Sequence, residues 1–266
     1  MNVFLREMQT YRKSTLVWAL SLSGLVVMFM AMLPAFTRDV AASKDLIGQL
    51  PEALRAAFNI QLETFFTVYG FYAYLLNFAV VAGAIQAMNL GTGVISKEVS
   101  GKTADFLLSK PITRPKVITS KLSAAFLMIV ITGVVFAGVS YGAASIASTE
   151  PVAADTFLLM ALTFFLMQLF FLVLGALFAV LIPKIKSVVT VTLPTVFILF
   201  IIGTLGEVLG NETVRYASPF RFFDTAYIIQ NKSIEGGYLA LELALVAVAV
   251  VAVYAIYLKK DIRAAA

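Results

Sequence analysis

Cysteine and histidine are both absent from the 266 residues. Disulfides, thiolate nucleophiles, thiol–histidine pairs and histidine-ligated metals are therefore excluded. Charge is also scarce. Only 13% of residues are charged against 61% hydrophobic, where an ordinary soluble domain is roughly 45–50% apolar. A chain this apolar belongs in a membrane.

Stretches long enough to cross a bilayer occur six times, at about 17–36, 65–95, 119–147, 156–182, 188–209 and 238–258. Each meets the roughly 17–25 residues a membrane-spanning helix needs. The sequence thus predicts an all-α integral membrane protein with six transmembrane helices, in one domain over 1–266. The first stretch carries about 20 apolar residues behind Arg6, Arg12 and Lys13 and lacks a small-x-small cleavage pattern, so it reads as a retained helix rather than a signal peptide.

Threading six spans with the N-terminus in the cytosol puts fourteen of the twenty basic residues inside. The other six (Arg38, Lys44, Arg55, Arg215, Arg221, Lys232) fall outside. This bias predicts a multi-pass protein of the plasma membrane with both termini cytosolic. Segments 37–63 and 210–237 are then extracytoplasmic, and both read as short helices over the outer mouth. In the first fifteen residues Met1, Phe4, Leu5, Met8 and Tyr11 recur at helical spacing, with Arg6, Glu7, Arg12 and Lys13 on the other side. That pattern predicts an interfacial helix over 1–15, lying on the inner membrane surface.

No Asp, Glu, Lys or Arg stands near the centre of any span; Glu207 and Glu242 sit close to outer ends. Proton- and ion-driven carriers rely on ionisable groups within the membrane, and none is visible. Asn77, Gln86, Asn89 and Gln168 read as polar groups joining helices. Energy must come from elsewhere.

The stretch "SKEVSGKTADFLLSKPITRPKVITSK", residues 96–121, gathers six basic residues between two long apolar runs. Gly101-Lys102-Thr103 imitates the end of a phosphate-binding loop. The first glycine of that motif is replaced by Ser96, no strand precedes it, and the loop is too short for a nucleotide domain of roughly 50–200 residues. Val99, Thr103, Phe106 and Leu107 instead mark the less polar stripe of a short helix ended by Pro111. Such a helix suits either the head groups or a groove on a cytosolic partner.

Glu98, the run Gly101-Lys102-Thr103-Ala104-Asp105-Phe106-Leu107-Leu108-Ser109-Lys110-Pro111-Ile112-Thr113-Arg114, and Lys121 resemble the E-x-x-x-G-T-x-E-x-L-L-S-x-P-I-S-R…K signature of ABC-2 type permeases. These are the membrane subunits of ATP-binding cassette transporters. "SPFRFFD", residues 218–224, resembles the segment before the last span in one subgroup. Lys102 interrupts the Gly-Thr pair, Asp105 stands for glutamate and Thr113 for serine.

The resemblance implies a non-catalytic permease subunit, an exporter by expectation, without a cofactor of its own. It also implies ATP and Mg on a separate cytosolic ATPase present in two copies, and a second permease subunit as homo- or heterodimer. The loop 96–118 would be the cytosolic coupling helix between spans two and three. Its contact residues would be Glu98, Val99, Gly101, Lys102, Thr103, Asp105, Phe106, Leu107, Leu108, Pro111 and Arg114. A membrane scaffold that anchors a cytosolic protein without transport is the alternative.

Overall fold

The computed structural model describes residues 3–58, 60–100 and 113–259, without the side chains of 98–100 and 212. Six long helices carry it: α1 (Val3–Thr37), α4 (Val68–Ser100), α5 (Arg114–Ala147), α6 (Ala154–Leu181), α7 (Val189–Val208) and α10 (Gly236–Lys259). All six are long and apolar enough to cross a membrane. Short helices fill the connections at the far end from the termini: α2 (Val40–Gly48), α3 (Glu52–Ala57), α8 (Glu212–Arg215), a 3-10 turn (Pro219–Arg221) and α9 (Thr225–Asn231).

Parallel α4 and α6 form the centre, in register from Tyr72–Phe157 through Gln86–Gln168 to Thr92–Gly175, and glycines let their backbones touch. A methyl group at Gly91 would land on the Leu172 carbonyl oxygen, and one at Gly175 would stand 2.5 Å from the Met88 carbonyl oxygen. Thr92 Oγ1 uses this proximity to donate to the Gly175 carbonyl at 3.1 Å. Close packing of small residues replaces the hydrophobic drive that lipid cannot supply between helices. Stacked rings extend the packing, Tyr72 of α4 on Phe157 of α6 and Phe136 of α5 on Phe164 of α6, each with centroids 4.1 Å apart.

Midway along these helices Gln86 Nε2 donates to Thr132 Oγ1 at 2.9 Å, and Gln168 Nε2 donates to Gln86 Oε1 at 3.0 Å. One polar ladder therefore joins α4, α5 and α6 as the sequence anticipates for Gln86 and Gln168. Asn89 Oδ1 is buried with no hydrogen-bond partner among the described residues, and Asn77 lines a cavity instead.

α1 packs along α5, while α7 and α10 lie at the periphery with most of their apolar surface outward. The helix expected to lie separately over 1–15 is not a separate element. Residues 3–37 form one uninterrupted helix, about 52 Å long at 1.5 Å per residue. Its inward stripe in the first turns is Val3, Glu7, Tyr11 and Thr15, so Glu7 faces the bundle and Leu5 is exposed. Hydrophobic periodicity alone cannot place a carboxylate inward. Its partners explain it.

The connections at the far end are fixed by polar caps. Asp39, Asn211 and Asp224 accept from the backbone N–H groups of Ala42, Thr213 and Ala226 at 3.0, 2.9 and 2.8 Å, satisfying donors that a helix start leaves open. α9 stops at Lys232, which adopts a left-handed conformation with φ of 50°.

Candidate functional site

The charges at the terminal end are drawn together by three helices. Glu7 projects from the second turn of α1 and is 2% exposed. Its Oε2 pairs with Lys97 Nζ near the end of α4, and its Oε1 lies 3.6 Å from Lys121 Nζ in the second turn of α5. Lys121, fully buried, also donates to the Val94 carbonyl of α4. The Lys97 ammonium stands 5.1 Å from the centre of the Tyr11 ring.

Helix polarity explains part of this arrangement. A carboxylate near the start of α1 and a lysine near the end of α4 both agree with the helix dipoles. Lys121, near the start of α5, opposes its own helix and has left water entirely. The carboxylate and carbonyl on either side offset that cost, because a buried charge persists only when paired and hydrogen-bonded. Gly93 leaves room for Tyr11; a Cβ there would meet the tyrosine oxygen at 2.8 Å and push the ring aside.

A second tie holds the other side of α5. Arg114 Nη1 donates to the Leu258 carbonyl at 3.3 Å, one of the carbonyls left open in the last turn of α10. One turn on, Thr119 Oγ1 and Tyr254 Oη share a hydrogen bond of 2.8 Å. The helices that flank residues 101–113 are thereby bound to both terminal helices, α4 and α5 to α1 through Glu7, and α5 to α10.

Of the residues the sequence assigns to coupling, Arg114 is placed in this way, at the first residue of α5. Glu98 and Val99 belong to the last turn of α4. Gly101, Lys102, Thr103, Asp105, Phe106, Leu107, Leu108 and Pro111 lie outside the described residues. Sequence reasoning missed Glu7 and Lys121 as partners, since it put Glu7 on the polar side of the first fifteen residues and Lys121 in the permease signature.

At the far end a polar cavity of about 140 Å³ is lined by Asn77, Thr204, Glu207, Arg221, Asp224 and Thr225 among others. Arg221 pairs with Glu207 across it. Burial pushes the Arg221 guanidinium down from the ordinary arginine value, opposed by the Asp224 carboxylate and Tyr238. Arg215 closes the neighbouring segment: it pairs with Glu235, donates through Nε to the Arg221 carbonyl at 2.8 Å, and lies 3.8 Å over the Tyr238 ring. Among the described residues no group of three or more acidic, histidine or cysteine side chains could hold a metal ion.

Six apolar helices with a polar ladder in their middle define a multi-pass membrane protein. A family model described as ABC-2 family transporter protein matches residues 1–262, and the chain belongs to that family. It is a permease subunit of an ABC transporter, in a family whose membrane subunits are typically non-catalytic. No curated protein matches the chain.

Proposed function

We propose that this permease moves its substrate outward across the plasma membrane, driven by ATP that a separate cytosolic ATPase subunit hydrolyses. Two ATPase copies, carrying the ATP and Mg, act on two permease subunits. Both termini face the cytosol, in keeping with the excess of lysine and arginine at that end. The loop 96–118 is the coupling element. Val99, Gly101, Lys102, Thr103, Asp105, Phe106, Leu107, Leu108 and Pro111 form the surface received by the ATPase, with Glu98 and Arg114 orienting it from either side.

The observation that carries this reading is the anchoring of Arg114 and Lys97 to the terminal helices. A loop whose two roots are fixed to the bundle can pass a displacement to α4 and α5, and through the close α4–α6 contact to the centre of the protein. A loosely held loop would absorb the movement. Affinity purification in mild detergent tests the reading, with the parent chain and with residues 99–109 replaced by a Gly/Ser linker. An ATPase that accompanies the parent and is lost with the linker supports it; no ATPase with the folded parent overturns it.

A further inference from the structure

The geometry assigns to Glu7 a positioning role: it locks the first turns of α1 to both roots of the loop, so that these three helix ends move as one body when the loop is displaced. The inference rests on the coupling function proposed for that loop. Its grounds are independent of the loop's own residues.

Glu7 divides its two carboxylate oxygens between lysines on different helices, Lys97 of α4 and Lys121 of α5. Those two lysines stand at the two roots of the loop, Lys97 in the last turns of α4 and Lys121 in the first turns of α5. Lys121 bridges further to the Val94 carbonyl, which ties α5 directly to α4. Tyr11, one turn along α1 from Glu7, lies against Gly93 with Lys97 over its ring. Five contacts among three helix ends meet around a carboxylate that is almost wholly removed from water. A buried ion group holds its geometry because separating the partners leaves a charge uncompensated, whereas an exposed pair is easily exchanged for water. A permanently locked root is what a transmitting element needs, and the cost of burying the Glu7 and Lys121 charges at this place then has a use beyond stability.

If Glu7 is the lock, Glu7→Gln keeps the side-chain shape and the hydrogen-bonding capacity of one oxygen but releases the lysines. The absence of native cysteine allows spin labels at Gln9→Cys and Lys116→Cys, exposed positions on α1 and α5. The distance distribution between them is measured in full-length permease in lipid nanodiscs, alone and with its ATPase subunit under ATP and vanadate. The parent is expected to give one narrow distribution that nucleotide leaves unchanged. Glu7→Gln is expected to broaden it, to shift it further on addition of nucleotide, and to lower transport per ATP hydrolysed, while Glu7→Asp restores the parent behaviour. Should Glu7→Gln fail to fold, Lys97→Gln, at the half-exposed partner, removes one of the carboxylate's two lysines at lower cost, leaves the Lys121 pair, and is expected to broaden the distribution to a lesser extent.

A distribution in the folded variants identical to the parent's, with and without nucleotide, overturns the inference, even if thermal stability falls. Failure of the parent to bind an ATPase overturns the function proposed for the loop instead. The comparison on the permease alone still decides whether Glu7 locks the helix ends.

Discussion

Gln168 donates to Gln86 across the α4–α6 contact, and Gln86 in turn donates to Thr132 of α5. Three spans are joined by two hydrogen bonds at a depth where water does not compete for them. Replacing Gln86 removes both. Gln86→Leu is expected to cost about 1–2 kcal/mol, since hydrogen bonds between membrane helices contribute on the order of 1 kcal/mol each. The folded fraction during titration with a denaturing detergent checks this, and an unchanged midpoint would show the ladder to be energetically idle.

The glycines make a sharper test, because their surroundings differ so much. Gly91→Ala and Gly175→Ala each drive a methyl group into backbone of the facing helix, and backbone cannot step aside as a side chain can. A loss of about 3 kcal/mol or more is expected for each. Gly138 and Gly142 on α5 have nothing within 4 Å of such a methyl group. Alanine at either is expected to be neutral, or stabilising by about 0.5–1 kcal/mol through helix propensity. Yield and detergent resistance of the four variants should fall into these two groups.

Arg215 gathers a carboxylate, two backbone carbonyls and an aromatic face at the far end. Lysine keeps the charge but has neither the planar fork nor the stacking surface. Arg215→Lys is expected to cost about 1–2 kcal/mol, confined to the segment around 212–238. Hydrogen exchange resolved by segment is the suitable measurement: faster exchange there, with α4 and α6 unchanged, is the expected outcome.

Membrane orientation can be read from single cysteines in this cysteine-free chain. Lys44→Cys in α2 is expected to react with an impermeant maleimide on intact cells. Lys186→Cys, between α6 and α7, is expected to react only after permeabilisation. The reverse pattern would invert the topology and place the loop 96–118 outside, beyond the reach of a cytosolic ATPase.

The long helices were legible because hydropathy marks membrane spans directly. The stretch expected at 156–182 is the helix Ala154–Leu181, and that at 188–209 is Val189–Val208. The beginning of α1 was less legible. Arg6, Arg12 and Lys13 end the apolar run, yet backbone hydrogen bonding continues through them to Val3 because a helix needs no hydrophobic side chains to propagate. Glu7 and Lys97 were unreadable as a pair for another reason. They are 90 positions apart, and nothing in local periodicity links a carboxylate in the first turns to lysines on two later helices. The roles of Gln86 and Gln168 were foreseen as a type; their pairing with each other and with Thr132 depended on the rotation of three helices, which sequence does not record.

The continuity of α1 also sets a mechanical ratio. Glu7 near one end and Phe36 near the other are separated by about 43 Å of unbroken helix at 1.5 Å per residue. Phe36 sits in an aromatic group with Phe65 and Phe71, its ring centre 5.6 Å from that of Phe71. A tilt of about 5° about the Glu7 end carries Phe36 sideways by roughly 4 Å on a rod of that length, most of the distance between the two rings. A small rotation at the charged end is thus magnified into a rearrangement of packed rings on the opposite side of the bilayer, with α1 as the lever arm.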